Sequence, residues 1–243
     1  MSALLPTRRD EAYRYADLAA LAPLWPVAVE MVRVAAGGVQ AMTLIETGPA
    51  PVVRELAVVV EAGAAFDLRL LSAGAAYGRI SVRAELGAGA RFTLGAAQLG
   101  NAGQVLEVVT EVVHAAPDAV SRQVVRSVAG GAATVNYLGK VLVAKGANGT
   151  DGEQSVRAML LDRTATANAR PELEIHADDV KCAHGCAVGE LDAAGLFYMA
   201  ARGLPPEAAK RLMLQAFVAE AFVGAENEAA LLDQAIAALE AML

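Results

Sequence analysis

Apolar and polar residues alternate along many short segments between Val29 and Val188. The clearest segment is 79–86, in which the apolar side chains face one way and the polar or charged ones face the other. A period of two is typical of a β-strand, because a helix would scatter those charges around its circumference. The same pattern predicts further strands at 52–60, 66–70, 104–113, 121–128, 134–143 and 154–161.

Short Gly/Ala turns recur between these strands. The segment 62–66 is echoed at 73–77 and 88–92, and looser equivalents follow at intervals of 11 to 15 residues, at Gly103, Pro117, Gly131 and Gly146. Regular repetition of a strand and a turn is typical of a sandwich, a barrel or a β-solenoid. Aromatic residues make up only 5% of the chain, while Ala, Val and Gly are abundant. This composition favours the solenoid, whose rungs stack small and β-branched side chains in columns.

After about Leu191 the apolar spacing becomes helical. Asp192 is a predicted N-cap, Gly203 ends the first helix, and Pro205 and Pro206 open a second one that we expect to end at Gly224. The predicted apolar face of the second helix comprises Leu212, Ala216, Ala219 and Val223. That of the third comprises Leu232, Ala235, Ile236, Leu239 and Leu243. We expect this segment to cap the open end of the solenoid. The predicted organisation is an arm at 1–28, a β-helix core at 29–190 and a helical region at 191–243.

Charge and hydropathy limit the kinds of partner and location that the protein can have. The net charge of −7 disfavours a nucleic-acid partner. The start of the chain is charged where a secretory signal needs an apolar run. The apolar stretch 18–29 is too short to span a bilayer and contains two prolines. These features predict a cytoplasmic protein with no membrane partner, whose two cysteines are reduced.

The densest polar cluster lies at residues 174–186 and holds both cysteines and two of the three histidines. If 180–186 is a strand, Cys182, His184 and Cys186 project from one face, with neighbours about 7 Å apart. Thiolate and imidazole ligands suit iron, zinc or copper. Three ligands along one strand span too far to close around one ion, so a second strand or a partner chain would have to supply the rest.

Structural interpretations of the same residues remain open. Cys186 is also explained as a small buried residue, and Asp178 and Asp179 as turn residues. His176 fits a ligand or a surface residue equally well. His114, at the end of a Val-rich strand, is expected to be a polar edge residue without a role.

Several catalytic motifs are absent from the sequence. It contains no phosphate-binding Gly-x-x-x-x-Gly-Lys-Ser/Thr loop and no Gly-x-Ser-x-Gly elbow. It also lacks Cys-x-x-Cys pairs and a four-cysteine set. The chain is therefore not itself a P-loop ATPase, and it cannot hold a cluster on four cysteines of its own.

Two motifs resemble the SufB/SufD family of iron–sulfur cluster assembly proteins. The run 171–185, followed by Val188-Gly189, Leu196-Phe197-Tyr198 and Arg202-Gly203, resembles the C-terminal signature of the family. The segment 5–11, with Tyr13-Arg14-Tyr15 and Asp17-Leu18, resembles the N-terminal motif of the SufD branch. The chain is shorter than typical members, and Cys186 stands where the family usually has a small residue without a thiol.

This resemblance implies a right-handed parallel β-helix flanked by helical segments, acting as a non-catalytic scaffold. It implies pairing with a SufB-like subunit through the β-helices and binding of a SufC-like ABC ATPase through the C-terminal helical region. It places transient iron or a nascent iron–sulfur cluster at the partner interface, near His184 and its neighbour Cys182, with no cofactor held tightly by the isolated chain. We also expect the isolated chain to form a homodimer, and Leu196-Phe197-Tyr198 to pack the helix onto the β-helix.

Two enzyme classes stand as alternatives. A small metal-dependent enzyme would gather Cys182, His184 and Asp178 around one ion. A solenoid enzyme acting on carbohydrates would need carboxylates or aromatic residues along a groove, and the low aromatic content counts against it.

Overall fold

The computed structural model of the protein describes residues 4–243, so the first three residues of the predicted arm lie outside the described part. The strands are β1 (Val29–Val34), β2 (Val39–Glu46), β3 (Val52–Val60), β4 (Ala65–Ala73), β5 (Tyr77–Leu86), β6 (Arg91–Gly100), β7 (Val105–His114), β8 (Val120–Ala129), β9 (Thr134–Val143), β10 (Asp151–Leu160), β11 (Thr166–Ile175) and β12 (Lys181–Gly189). The α-helices are α1 (Leu18–Leu21), α2 (Ala193–Ala201), α3 (Pro206–Ala219) and α4 (Glu228–Glu240).

Each strand pairs in parallel with the strand two places further along the chain. The odd-numbered strands form one 6-stranded sheet, here called the odd sheet, and the even-numbered strands form a second, the even sheet. One strand from each sheet makes one rung. The predicted fold, a mainly β parallel solenoid followed by helices, is confirmed, and the alternation at 79–86 lies within β5.

The turns at one corner of the solenoid form a ladder. One residue in each turn has a positive φ of 52° to 73°, a conformation that glycine adopts without steric cost. Within the ladder, Gly63 N–H donates to the carbonyl oxygen of Ala88 at 2.8 Å, and Asp118 N–H to that of Asn148 at 2.9 Å. These bonds help to fix the register between rungs. The ladder consists of Gly37, Gly63, Gly89, Asp118, Gly149 and Asp179.

The space between the two sheets is filled by side chains. The first rungs carry large apolar residues there, and the rings of Phe66 and Phe92 stack with centroids 6.2 Å apart. Small and β-branched residues such as Ala84, Val112 and Val141 supply much of the rest, and all three are fully buried.

The C-terminal helices pack on the outer face of the even sheet. Leu214 and Val218 of α3 and Leu231 of α4 are buried against Leu71 and Leu99 of the sheet. The prediction that these helices cap the open end of the solenoid is therefore wrong. Polar contacts also hold the helices, since Arg69 Nη1 donates to Ala221 O at 2.9 Å.

The predicted apolar face of α3 is also wrong. Leu212 and Val223 are 49% and 65% exposed, whereas Ala209, Leu214 and Val218 are buried. The helix ends at Ala219, before the predicted Gly224, and the chain then turns so that Phe222 enters the interface. The predicted apolar face of the third helix, which is α4, is confirmed for Ala235 and Leu239, since both are buried. Leu243, which was predicted on the same face, is 42% exposed.

The arm crosses the outer face of the odd sheet. Tyr13 Oη donates to Glu55 Oε1 at 3.0 Å, and Arg79 Nη2 donates to Ala12 O at 2.7 Å. Arg79 also pairs with Glu107 at 2.5 Å, with both side chains 1% exposed. The arm thus covers a buried ion pair on the sheet surface. Among the described helices, none is long and apolar enough to cross a membrane.

Candidate functional site

The candidate site lies where the solenoid stops after its last rung. Strand β12 pairs with β10 and β11 pairs with β9, so each has one edge without a neighbouring strand in the described chain. We call these two edges, with the interior they leave uncovered, the open end. Unpaired backbone groups along such an edge can accept another strand.

The register places the predicted ligands on the interior face of this end. Cys182 is paired with Gly152, His184 with Gln154 and Cys186 with Val156, and these three β10 residues are buried inside the solenoid. Side chains at paired positions of parallel strands project to the same face. Cys182, His184 and Cys186 therefore lie on one face, as predicted, and continue the interior columns.

No described rung covers these side chains. His184 and Cys186 are exposed, and Cys182 is half-buried. Cys182 packs against the interior cluster and over Gly152, where a Cβ would lie 3.6 Å from Sγ, an ordinary van der Waals contact. Cys186 is not the buried residue that one interpretation expected; its nearest polar partner is Ala169 O, 3.9 Å from Sγ.

Burial raises the pKa of both thiols, that of Cys182 and that of Cys186. The protonated form is therefore favoured in the chain alone. A cation bound at either sulfur would have to displace the proton.

The other wall of the open end supplies no ligands. Ala169 and Leu173 of β11, which face the same interior, are partly buried apolar residues. Within residues 4–243, no three His, Cys, Asp or Glu side chains lie close enough to hold a metal ion. Cys182, His184 and Asp178 are thus not brought together as the small metalloenzyme alternative requires.

The remaining polar residues of the 174–186 cluster lie outside the interior face that carries Cys182 and His184. Asp179 has φ 52°, and its backbone carbonyl accepts the N–H of Gly149 at 2.9 Å, so the turn interpretation holds for it. His176 is exposed, with Nε2 2.8 Å from Glu174 Oε1. Glu174 also pairs with Lys140, and hydrogen bonds from Lys140 and then His176 lower the pKa of its carboxyl. These contacts make His176 part of a surface charge network.

The prediction for His114 is wrong. Its side chain is fully buried, with Nε2 2.9 Å from Ser121 Oγ. Burial lowers the pKa of this imidazole to about 4. The alternation within β7 places residue 114 on the inner face. The sequence pattern alone would have predicted this position.

A buried polar network inside the last rungs was not predicted. Gln154 Nε2 donates to Tyr137 Oη at 3.2 Å, Tyr137 Oη donates to Gln123 Oε1 at 3.3 Å, and Thr110 Oγ1 donates to the same oxygen at 2.9 Å. The phenol fits because residue 139 is glycine, where any Cβ would collide with the Tyr137 hydroxyl. The sequence feature that could have predicted this network is the presence of Gln123 and Gln154 on the inner face of predicted strands.

Exposed aromatic residues lie on α2. Phe197 is 76% and Tyr198 60% exposed, so the prediction that Leu196-Phe197-Tyr198 packs the helix onto the β-helix is wrong for these two residues, while Leu196 is half-buried. The Arg202 guanidinium lies 5.1 Å from the Tyr198 ring centroid.

Comparisons with known proteins agree with these features. The family described as "SUF system FeS cluster assembly, SufBD core domain" matches residues 28–217. The iron–sulfur cluster assembly protein SufD of Escherichia coli (strain K12) is 36% identical over 100 residues, and that of Bacillus subtilis (strain 168) is 38% identical over 84. "Protein ABCI7, chloroplastic" of Arabidopsis thaliana is 34% identical over 162 residues.

These matches cover different shares of the two chains. The Arabidopsis match covers 66% of this chain and 34% of the relative, the E. coli match 41% and 24%, and the B. subtilis match 35% and 19%. The matched regions thus span about a third or less of each relative. The family match covers the solenoid, α2 and most of α3, so the chain belongs to the SufBD core-domain family of iron–sulfur cluster assembly proteins.

Proposed function

We propose that this chain is a non-catalytic scaffold subunit of a SufBCD-type assembly complex. Its open end pairs with a SufB-like subunit, and a transient iron or nascent iron–sulfur cluster is built at the joint as cargo. The observation that carries the proposal is that Cys182, His184 and Cys186 face the interior of an uncovered rung whose other wall is apolar.

The edges of β11 and β12 supply the means of pairing. Each edge presents a row of backbone N–H and C=O groups to which a partner strand can add. A strand docked there would bring its own side chains opposite Cys182 and His184 and complete a ligand set that this chain begins. In the absence of that partner, the same edges would pair two copies of this chain into a homodimer.

A SufC-like ABC ATPase is assigned to the helical region. The apolar faces of helices α3 and α4 are buried against the sheet, whereas Phe197 and Tyr198 of α2 are exposed. Aromatic residues dominate the energetics of many interfaces. We assign ATPase docking to the exposed face of α2 that carries Phe197 and Tyr198.

The proposal places the complex in the cytoplasm, with neither nucleic acid nor membrane as a partner. ATP hydrolysis belongs to the SufC-like subunit, since this sequence has no phosphate-binding loop. No specific observation favours the small metalloenzyme over the scaffold, because the described residues do not gather its three ligands.

Co-expression of the full chain with SufB-like and SufC-like subunits from the same organism tests the proposal. We expect a three-component complex that retains iron under anaerobic purification. Phe197→Glu should remove the ATPase and keep the SufB-like subunit. Met31→Glu is the matched control, since Met31 is 70% exposed at the opposite end of the solenoid.

The ligand assignment has its own variant. His184→Ala should leave both partners bound and lower the iron content, because an exposed side chain is removed without disturbing the fold. Full iron retention in His184→Ala, or failure of the wild-type chain to bind either subunit, would contradict the proposal.

A further inference from the structure

The interior column that ends at His184 changes from apolar to polar along the solenoid. Leu68 is paired with Leu94, Leu94 with Gln123, Gln123 with Gln154, and Gln154 with His184. Paired positions in adjacent parallel strands lie about 4.8 Å apart, with their side chains side by side. The imidazole of His184 is therefore the next polar group in a column of glutamine side chains.

Only one of the two polar atoms of the Gln154 side-chain amide has a hydrogen-bond partner. Its Nε2 donates to Tyr137 Oη at 3.2 Å, while its Oε1 is buried without a hydrogen-bond partner. The residue is 1% exposed, so bulk water does not reach this oxygen. Buried acceptors are nearly always paired in folded proteins, and an unpaired one calls for an explanation.

The surrounding network bears on which way the Gln154 amide points. Tyr137 Oη lies 3.1 Å from Thr110 Oγ1 and 3.3 Å from Gln123 Oε1, and a phenol that donates to Gln123 presents a lone pair to Gln154. The amide nitrogen of Gln154 fits that lone pair, and the amide oxygen is left over. This arrangement orients an acceptor rather than a donor in the rung next to His184.

We infer that Gln154 is a positioning residue for His184: its Oε1 accepts the N–H of one ring nitrogen and leaves the lone pair of the other directed out of the open end. A neutral imidazole carries one N–H, so the acceptor selects the tautomer. Histidines that bind metals commonly donate their second nitrogen to such an acceptor, which fixes the ring orientation. The consequence for metal binding rests on the proposed function, whereas the hydrogen bond does not.

The test uses the full chain labelled with 15N-histidine, studied by long-range 1H–15N NMR at a pH where the ring is neutral. His184→Ala assigns the signals among the three histidines of the sequence. In the wild type we expect one dominant tautomer of His184. Gln154→Met, which removes the acceptor, should lower the ratio of the two tautomers by about five-fold, the effect of one ordinary hydrogen bond.

Two variants separate positioning from a general structural effect. Gln154→Glu keeps an acceptor oxygen and should retain the dominant tautomer. Gln98→Met removes an equally buried glutamine outside this network, whose Nε2 donates to Asn136 O at 3.1 Å, and should leave the His184 tautomer unchanged. Identical tautomer ratios in wild type and Gln154→Met, or an equal change in Gln98→Met, would overturn the inference.

A second readout distinguishes this inference from the proposed function. In the co-expressed complex, Gln154→Met should reduce iron retention in the same direction as His184→Ala, with partner binding kept; loss of a residue of this kind commonly costs about 10- to 100-fold in metal affinity. A tautomer change in Gln154→Met, with full iron retention in His184→Ala, would support the hydrogen bond and overturn the proposed function instead.

Discussion

Gly95, on β6, lies directly beneath the backbone carbonyl of Ala221. A Cβ at position 95 would collide with the Ala221 oxygen and would lie 2.6 Å from Arg69 Nη1, which itself donates to that oxygen. The C-terminal helices therefore sit on the even sheet at a distance that only glycine permits. This close approach links the helical region to the solenoid and holds α2 at its surface.

Gly95→Ala should displace the helices from the sheet. Overpacking of a tight contact costs about 1–3 kcal/mol, and the added methyl group meets backbone rather than a flexible side chain. We expect the free energy of unfolding in urea to fall by this amount, with faster proteolysis of α3 and α4. Gly103→Ala is the control, because no atom lies within 4 Å of a Cβ there; an equal loss in both variants would contradict the explanation.

The ion pair under the arm should be costly to break. Arg79 and Glu107 are each 1% exposed, and Glu107→Gln leaves a buried guanidinium without its counter-charge. Such a change typically costs about 3–5 kcal/mol.

Glu111→Gln provides the comparison for Glu107→Gln. Glu111 pairs with Arg83 between the same two strands, but that arginine is 62% exposed, and we expect a cost of no more than about 1 kcal/mol. Urea unfolding of both variants measures the difference. Equal losses would show that burial does not set the cost.

A strained alanine offers a stabilising substitution. Ala102 has φ 53°, a left-handed conformation that costs an L-residue about 1–2 kcal/mol. Ala102→Gly should recover part of that cost, offset by the greater freedom of glycine in the unfolded chain. Gly131→Ala should do the reverse, since its φ is 56° and a Cβ would lie 2.9 Å from Ala102 N. Thermal unfolding of both variants tests the sign, and a destabilised Ala102→Gly would refute the strain.

His114 should make the protein less stable in mild acid. Burial lowers the pKa of this imidazole from 6.5 to about 4. The unfolded chain therefore takes up a proton first, so stability that is fully present above about pH 6.5 is lost as the pH falls toward 4.

Comparing wild type with His114→Gln isolates the contribution of His114. The difference in unfolding free energy between them should change by at most about 1.4 kcal/mol per pH unit within this window. Urea unfolding at several pH values measures it. A difference that is independent of pH would contradict the assignment.

The sequence predicted the solenoid from its recurring Gly/Ala turns and small side chains, and it predicted the shared face of Cys182, His184 and Cys186 from the period of two. It did not predict which strand would pair with which, and so the column from Gln123 through Gln154 to His184 was missed. Pairing depends on loops of unequal length between rungs, which alternation alone does not specify.

The buried faces of the C-terminal helices do not follow from the sequence pattern alone. Leu212 and Val223 fit an apolar stripe, yet the contact with the sheet selects Leu214 and Val218 instead. That choice depends on the glycine at position 95 and on Arg69, which lie far away in the sequence. A helical period indicates which faces are possible, and tertiary packing decides which of them is buried.

Amide hydrogen exchange of the chain, alone and bound to its SufB-like partner, tests the central claim most directly. If the open end is the joint, protection should rise in β11 and β12, whose edges lack a neighbouring strand in the described chain, and should stay unchanged in β1 and β2 at the opposite end. Unchanged exchange in β11 and β12, or protection confined to β1 and β2, would show that the partner does not cover Cys182 and His184.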